Sequence, residues 1–135
     1  MAFLEWSSDL RVGIEQIDQE HESCVALLNV LHAAMMAGAD NARLVEMFDG
    51  LMEAIEHGFA AEQNLFEAHC YLSAADHLAL HEAFMKRTIE LQWEFEIGKV
   101  PVSSEALEFL NAWLSNHFRG PDKACAEFFR KHGLH

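Results

Sequence analysis

Basic side chains are scarce in this chain: 9 Lys and Arg stand against 22 Asp and Glu, for a formal net charge of -13. Binding to a polyanion requires a basic patch, so this balance argues against nucleic acid and anionic membrane surfaces as partners. The excess acid reads as a solvated face. Cysteine is equally thin: Cys24, Cys70 and Cys125 are odd in number and lack CxxC spacing. That argues against a disulfide framework and leaves them as small buried or semi-exposed residues. No apolar run approaches membrane-spanning length, and Met1 to Gly13 has no apolar stretch behind a cationic flank. Neither membrane insertion nor a secretory leader is expected, and the chain reads as soluble and cytoplasmic.

What the chain does have is helical periodicity. Its 135 residues are 51% hydrophobic, which suits a single domain, taken as residues 1–135, with an ordinary buried core. Ile17, Val25, Leu28, Leu31 and Met35 mark a first amphipathic helix, and Leu44, Met47, Phe48, Leu51, Met52, Ile55, Phe59 and Phe66 a second. Leu78, Phe84, Ile89, Leu91 and Phe95 mark a third, and Leu107, Leu110, Trp113 and Leu114 a fourth. The breaks between them are short, at Gly38–Asn41, Cys70–Ser73 and Gly98–Ser103, with Gly98 and Pro101 as stop signals. Connections of this length favour antiparallel neighbours, so the expected fold is all-α, an up-down-up-down antiparallel four-helix bundle preceded by an extended N-terminal segment.

That topology aligns polar residues that the linear sequence scatters. His21, His77 and His81 fall early in their helices and Glu62 and His117 late, so all five arrive at one level of the core. A lone histidine on an apolar face is ordinarily a hydrogen-bonded core residue. Several imidazoles and a carboxylate buried together without a cation leave costly unpaired groups, and a metal resolves the difficulty. His77 and His81 share one helix face, but no Glu follows the first of them, so a zinc protease helix is a poor match. Ser73 and Asp76 form a capping box that starts this helix. Asp122 follows His117 by five residues, which on an unbroken helix turns it away by about 140°. The intervening Gly120-Pro121 pair interrupts the helix, and Asp122 then either rejoins the cluster or caps a final segment from Lys123 to His132. Carboxylates among several imidazoles suit a pair of intermediate transition metals, with di-iron the natural proposal.

The ordered set Val12-Gly13-Ile14, Ile17-Asp18-Gln19-Glu20-His21, Phe59 and Glu62, His77 and His81, Trp113-Leu114, His117 and Asp122 resembles the bacterial hemerythrins over essentially the whole chain. The resemblance implies two iron ions in an oxo- or hydroxo-bridged centre. His77, His81 and His117 would hold one iron, His21 would help to hold the other, and Glu62 and Asp122 would bridge them. Dioxygen, or a related small ligand, would bind at the second iron.

One position departs from the family. Its pattern places a histidine immediately before the phenylalanine, one turn ahead of the bridging glutamate. This chain reads His57-Gly58-Phe59-Ala60-Ala61-Glu62, with Gly58 in the ligand slot. His57 reaches the iron only if the helix bulges by one residue. Without a bulge it points about 100° away, and the second iron keeps an open position. The open site is the favoured expectation, and it suits an oxygen or redox sensor whose output domain lies elsewhere in a longer parent chain or in another protein. A dioxygen carrier or store, and a di-iron peroxidase or oxidase, are the alternatives. A dedicated enzyme is disfavoured because His57 is the sole evident general acid. Gly58, Phe59, Trp113, Leu114 and Phe118 are expected around the ligand pocket. His32, His69, His132 and His135 are expected to be exposed, and Met35, Met36, Met47, Met52 and Met85 to fill the core.

Overall fold

A computed structural model describes residues 2–135. Helices α1 (Glu15–Met36), α2 (Asn41–His69), α3 (Ala74–Glu96) and α4 (Ser104–His117) form the up-down-up-down bundle; a π-helical turn, Phe118–Asp122, and α5 (Lys123–Lys131) complete it. Four-residue connections link α1 to α2 and α2 to α3, and these pairs lie antiparallel. No helix of the described residues is long and apolar enough to cross a membrane.

Helix ends follow local chemistry in part. The Asp40 carboxylate accepts from the Arg43 amide at 2.9 Å, and the Ser103 hydroxyl from the Ala106 amide at 3.3 Å. Each satisfies one of the amides that a helix start leaves without a partner. The expected capping box at Ser73 does not form: Ser73 makes no side-chain cap, because its backbone (φ -95°, ψ 18°) is turned away from the extended geometry a cap requires.

The extended N-terminal arm is fastened at two points. Asn29 exchanges two hydrogen bonds with the backbone of Leu4, at 2.8 and 2.9 Å. Asp18 accepts the amides of Val12 at 2.8 Å and Gly13 at 3.1 Å. Gly13 has φ +87°, and a Cβ there would come within 2.8 Å of the Arg130 guanidinium, which itself donates to the Val12 carbonyl. The positive φ is what favours glycine at this position; the Arg130 contact is with the far end of a flexible side chain that can shift.

Buried apolar residues form two clusters rather than one. The larger contains Cys24, Leu28, Ile55, Phe84 and Leu114. The smaller contains Ile17, Phe66, Cys125 and Phe129, with Leu78 packed against it. Along every helix the candidate ligands fall between the two: His21 between Ile17 and Cys24, Glu62 between Ile55 and Phe66, His81 between Leu78 and Phe84, His117 between Leu114 and Cys125. A polar layer therefore crosses an otherwise apolar bundle. Some peripheral expectations need correction. Met36 is 73% exposed rather than core. His32 is half-buried, its ring stacked on Phe3 at 4.0 Å, and His69 is half-buried near Phe129.

Candidate metal centre

Six side chains, His21, Glu62, His77, His81, His117 and Asp122, occupy the polar layer, and each is at most 5% exposed. Donor atoms of Glu62, His77, His81, His117 and Asp122 all lie within 4.8 Å of one another. Asp122 joins them because the turn before it is π-helical. Pro121 has no amide to donate to residue 117, so the backbone widens and residue 122 comes to lie over His117. Asp122 makes no side-chain cap for α5, which disposes of the capping alternative.

The two carboxylates divide their oxygens between two groups of imidazoles. Glu62 Oε1 lies 3.1 Å from His81 Nε2 and 3.6 Å from His77 Nε2, while Oε2 is directed to His21 at 3.9 Å. Asp122 Oδ1 lies 2.9 Å from His77 Nε2 and 3.2 Å from His117 Nε2, while Oδ2 is 3.0 Å from His21 Nε2. Despite these short distances, Glu62 Oε2 and both Asp122 oxygens lack any hydrogen-bond partner of proper alignment. Buried oxygens left unpartnered this close to imidazole nitrogens are what a cation between them would satisfy.

The imidazoles behave alike. His117 Nε2 lies 3.0 Å from His81 Nε2 and 3.1 Å from His77 Nε2. A proton can sit between one such pair, but three nitrogens turned toward one another have more lone pairs than protons to share. A cation with donors about 2.1 Å away at right angles separates neighbouring donors by about 3.0 Å, which is the spacing found. The residues therefore fit metal, and they fit two ions better than one. One position is faced by three imidazoles and two carboxylate oxygens, the other by His21 and two carboxylate oxygens.

Aromatic rings hold the imidazoles in place. Phe118 stacks on His21 at 3.7 Å, Phe59 on His81 at 3.7 Å, and Trp113 on His117 at 4.3 Å. Stacking takes over an orienting task that metal-binding histidines usually give to an acceptor on the far ring nitrogen, since Nδ1 of both His21 and His81 has no partner.

His57 lies outside this layer. α2 is regular from Asn41 to His69, with no bulge, so the His57 side chain is 75% exposed and its Nδ1 is 2.9 Å from the Glu20 carboxylate. Gly58, by contrast, lines a narrow gap of about 10 Å³ beside His21 and Glu62, which Phe59, Leu114 and Phe118 also border. That is close to the smallest space that holds one water. Trp113, expected around this pocket, is instead packed between His117 and Phe84. Sequence reasoning missed three residues on the gap, Glu20, Cys24 and Ile55, the last of which it placed only in the apolar core. Cys24 follows His21 by three residues, a spacing that marks the shared face. Glu20 carries no such periodic signal. Burial pushes the Cys24 thiol up to about 12, so it stays protonated.

The buried carboxylates and imidazoles shift one another's protonation. Burial alone would raise the Asp122 carboxyl, but the imidazoles of His117, His21 and His77 outweigh it and hold the group well below its ordinary value. Burial likewise works to lower His77, yet Asp122 and Glu62 raise it from 6.5 to about 9, whereas His81 is lowered, chiefly by burial. In the metal-free protein, the stabilisation from charged His77 is complete below pH 6.5 and is lost as pH rises through about 9. The Asp122 contribution is present above 3.8 and lost in acid. Metal binding needs neutral imidazoles, so its affinity rises over the same interval in which the metal-free protein weakens. The difference in melting temperature between metal-loaded and chelated protein should therefore widen from pH 6.5 to 9. Calorimetric melts across that range check this, and a difference independent of pH would contradict it.

Fold and centre together define a cation-binding helical bundle. Residues 12–127 match the model of the hemerythrin HHE cation binding domain. The chain is 37% identical to a bacteriohemerythrin of Stenotrophomonas maltophilia over 132 residues, covering 98% of this chain and 85% of that one. It is 34% identical to a bacteriohemerythrin of Pseudomonas paraeruginosa over 130 residues, covering 96% and 84%. The crystal structure of a wild-type hemerythrin superposes with a TM-score of 0.88 at 23% identity, over 93% of this chain and 97% of that one. The chain belongs to the hemerythrin family.

Proposed function

We propose that this domain holds two iron ions, binds dioxygen or a related small ligand between α1 and α2, and works as an oxygen or redox sensor rather than a carrier. The observation that carries the reading is the inequality of the two positions, with Gly58 beside the gap where the less-furnished one lies. His77, His81 and His117 would hold the first ion, His21 the second, and Glu62 and Asp122 would bridge them. Two irons held by these residues would supply reversible electron transfer and a place for a small ligand. Leu114, Phe118 and Phe59 keep bulk water from the gap, and the stacked rings hold the imidazoles in register. A position with few protein donors admits water and anions beside dioxygen, and so favours oxidation over long retention of the ligand.

Admitting dioxygen to the anaerobically reduced, iron-loaded protein tests this by its visible spectrum. Conversion within seconds to a stable oxidised spectrum is expected. A long-lived spectrum that reverses on removing dioxygen would support carriage instead, and sustained consumption of added peroxide would support an enzyme. The signalling partner would be another domain of a longer chain or a separate protein.

A further inference from the structure

We infer that Glu20 is a further ligand of the second metal ion, standing in for the histidine absent at position 58, and that His57 positions its carboxylate. This rests on the two-ion reading above. The observation is one of placement. Apart from its chain neighbours and the backbone of its own helix, a Cβ built on Gly58 would meet, among the described residues, Glu20 alone within 4 Å, with Cβ at 3.6 Å and Oε2 at 3.8 Å. The space in which a side chain at 58 would begin is thus bordered by the Glu20 chain and is otherwise open.

Glu20 also faces two ways. It lines the inner gap together with His21 and Glu62, and it lines the outer groove together with His57, Ser23 and Ala54. Its side chain is only 22% exposed, and among the described residues its carboxylate is partnered by the His57 ring. Three rotatable bonds separate that carboxylate from the backbone, and rotation about them carries it between the groove and the gap, both of which Glu20 lines.

The donor count supports the same assignment. Without Glu20 the second position has one imidazole and two carboxylate oxygens. Glu20 adds a fourth donor from the residue next to His21 in sequence, and a ligating carboxylate is ordinarily hydrogen-bonded by a neighbour, a task His57 performs from the solvent side. The histidine displaced by one residue from the family's ligand slot thereby acquires a role. An added anionic donor also favours the more highly charged, oxidised ion, in keeping with a redox sensor.

Cobalt(II) titration of the metal-free protein, followed by heat and by visible absorption, tests the assignment without reference to activity. Wild type should show two binding events. In Glu20→Ala and Glu20→Gln the second event should weaken about 100-fold or more, with its absorption altered and the first event unchanged, and in His57→Ala the second should weaken about tenfold. Two events of wild-type affinity in both Glu20 variants would overturn the assignment and leave the two-ion reading standing. Loss of both events in variants that keep wild-type helical circular dichroism would also overturn it, since Glu20 would then act on the whole layer. A wild type that binds a single cobalt would overturn the two-ion reading and the assignment with it.

Discussion

Chelating the metal should lower the melting temperature of this protein by about 10–15 °C at neutral pH. The figure follows from linkage: a ligand present at a thousand times its dissociation constant stabilises the folded state by about 4 kcal/mol, and in a domain of this size each kcal/mol moves the midpoint by about 3–4 °C. The physical cause lies in the polar layer. Glu62 and Asp122 are 3% and 1% exposed and retain unpartnered oxygens, so the metal-free fold carries buried charge that only a cation fully offsets. Glu62→Leu should therefore abolish the effect of the chelator while leaving the metal-free protein as stable as wild type, or more so. Differential scanning calorimetry with and without chelator measures both. A shift under about 2 °C would mean that the layer stands without metal.

Gly58→His should change the chemistry more than the fold. The Cβ contact at position 58 is with Glu20 at 3.6 Å, an ordinary van der Waals distance, and Gly58 has no backbone conformation that demands glycine. Within a helix the substitution also removes the entropic penalty of glycine. The new imidazole would enter the gap beside His21 and displace Glu20 outward. A second neutral nitrogen donor in place of a carboxylate favours the reduced ion. Air oxidation of the reduced, iron-loaded variant should slow by about 10–100-fold relative to wild type, as read by stopped-flow absorption. An unchanged rate would show that position 58 has no bearing on the second metal site.

Most of the fold was legible in the sequence because its signals are periodic and local. Apolar residues three and four apart gave the four helices, and short polar breaks gave their antiparallel order. The six candidate ligands were legible for a related reason: in an antiparallel bundle, depth follows from distance to the helix end, so His21, Glu62, His77, His81 and His117 could be aligned without coordinates. Asp122 needed the Gly120-Pro121 interruption, and the widened π turn is the form it takes. What remained hidden depends on side-chain direction across helices. Nothing in sequence spacing pairs Glu20 with His57, 37 residues away, or sets Trp113 against His117 rather than on the gap. The capping box at Ser73 failed on backbone angles that the residue types do not fix.

The most direct test of the account is a crystal structure of the iron-loaded protein with an anomalous difference map at the iron edge. Two peaks are expected, one against His77, His81 and His117 and the other between His21 and the gap at Gly58, with Glu62 and Asp122 each touching both. A single peak, or two peaks with His57 drawn inward onto the second, would contradict it.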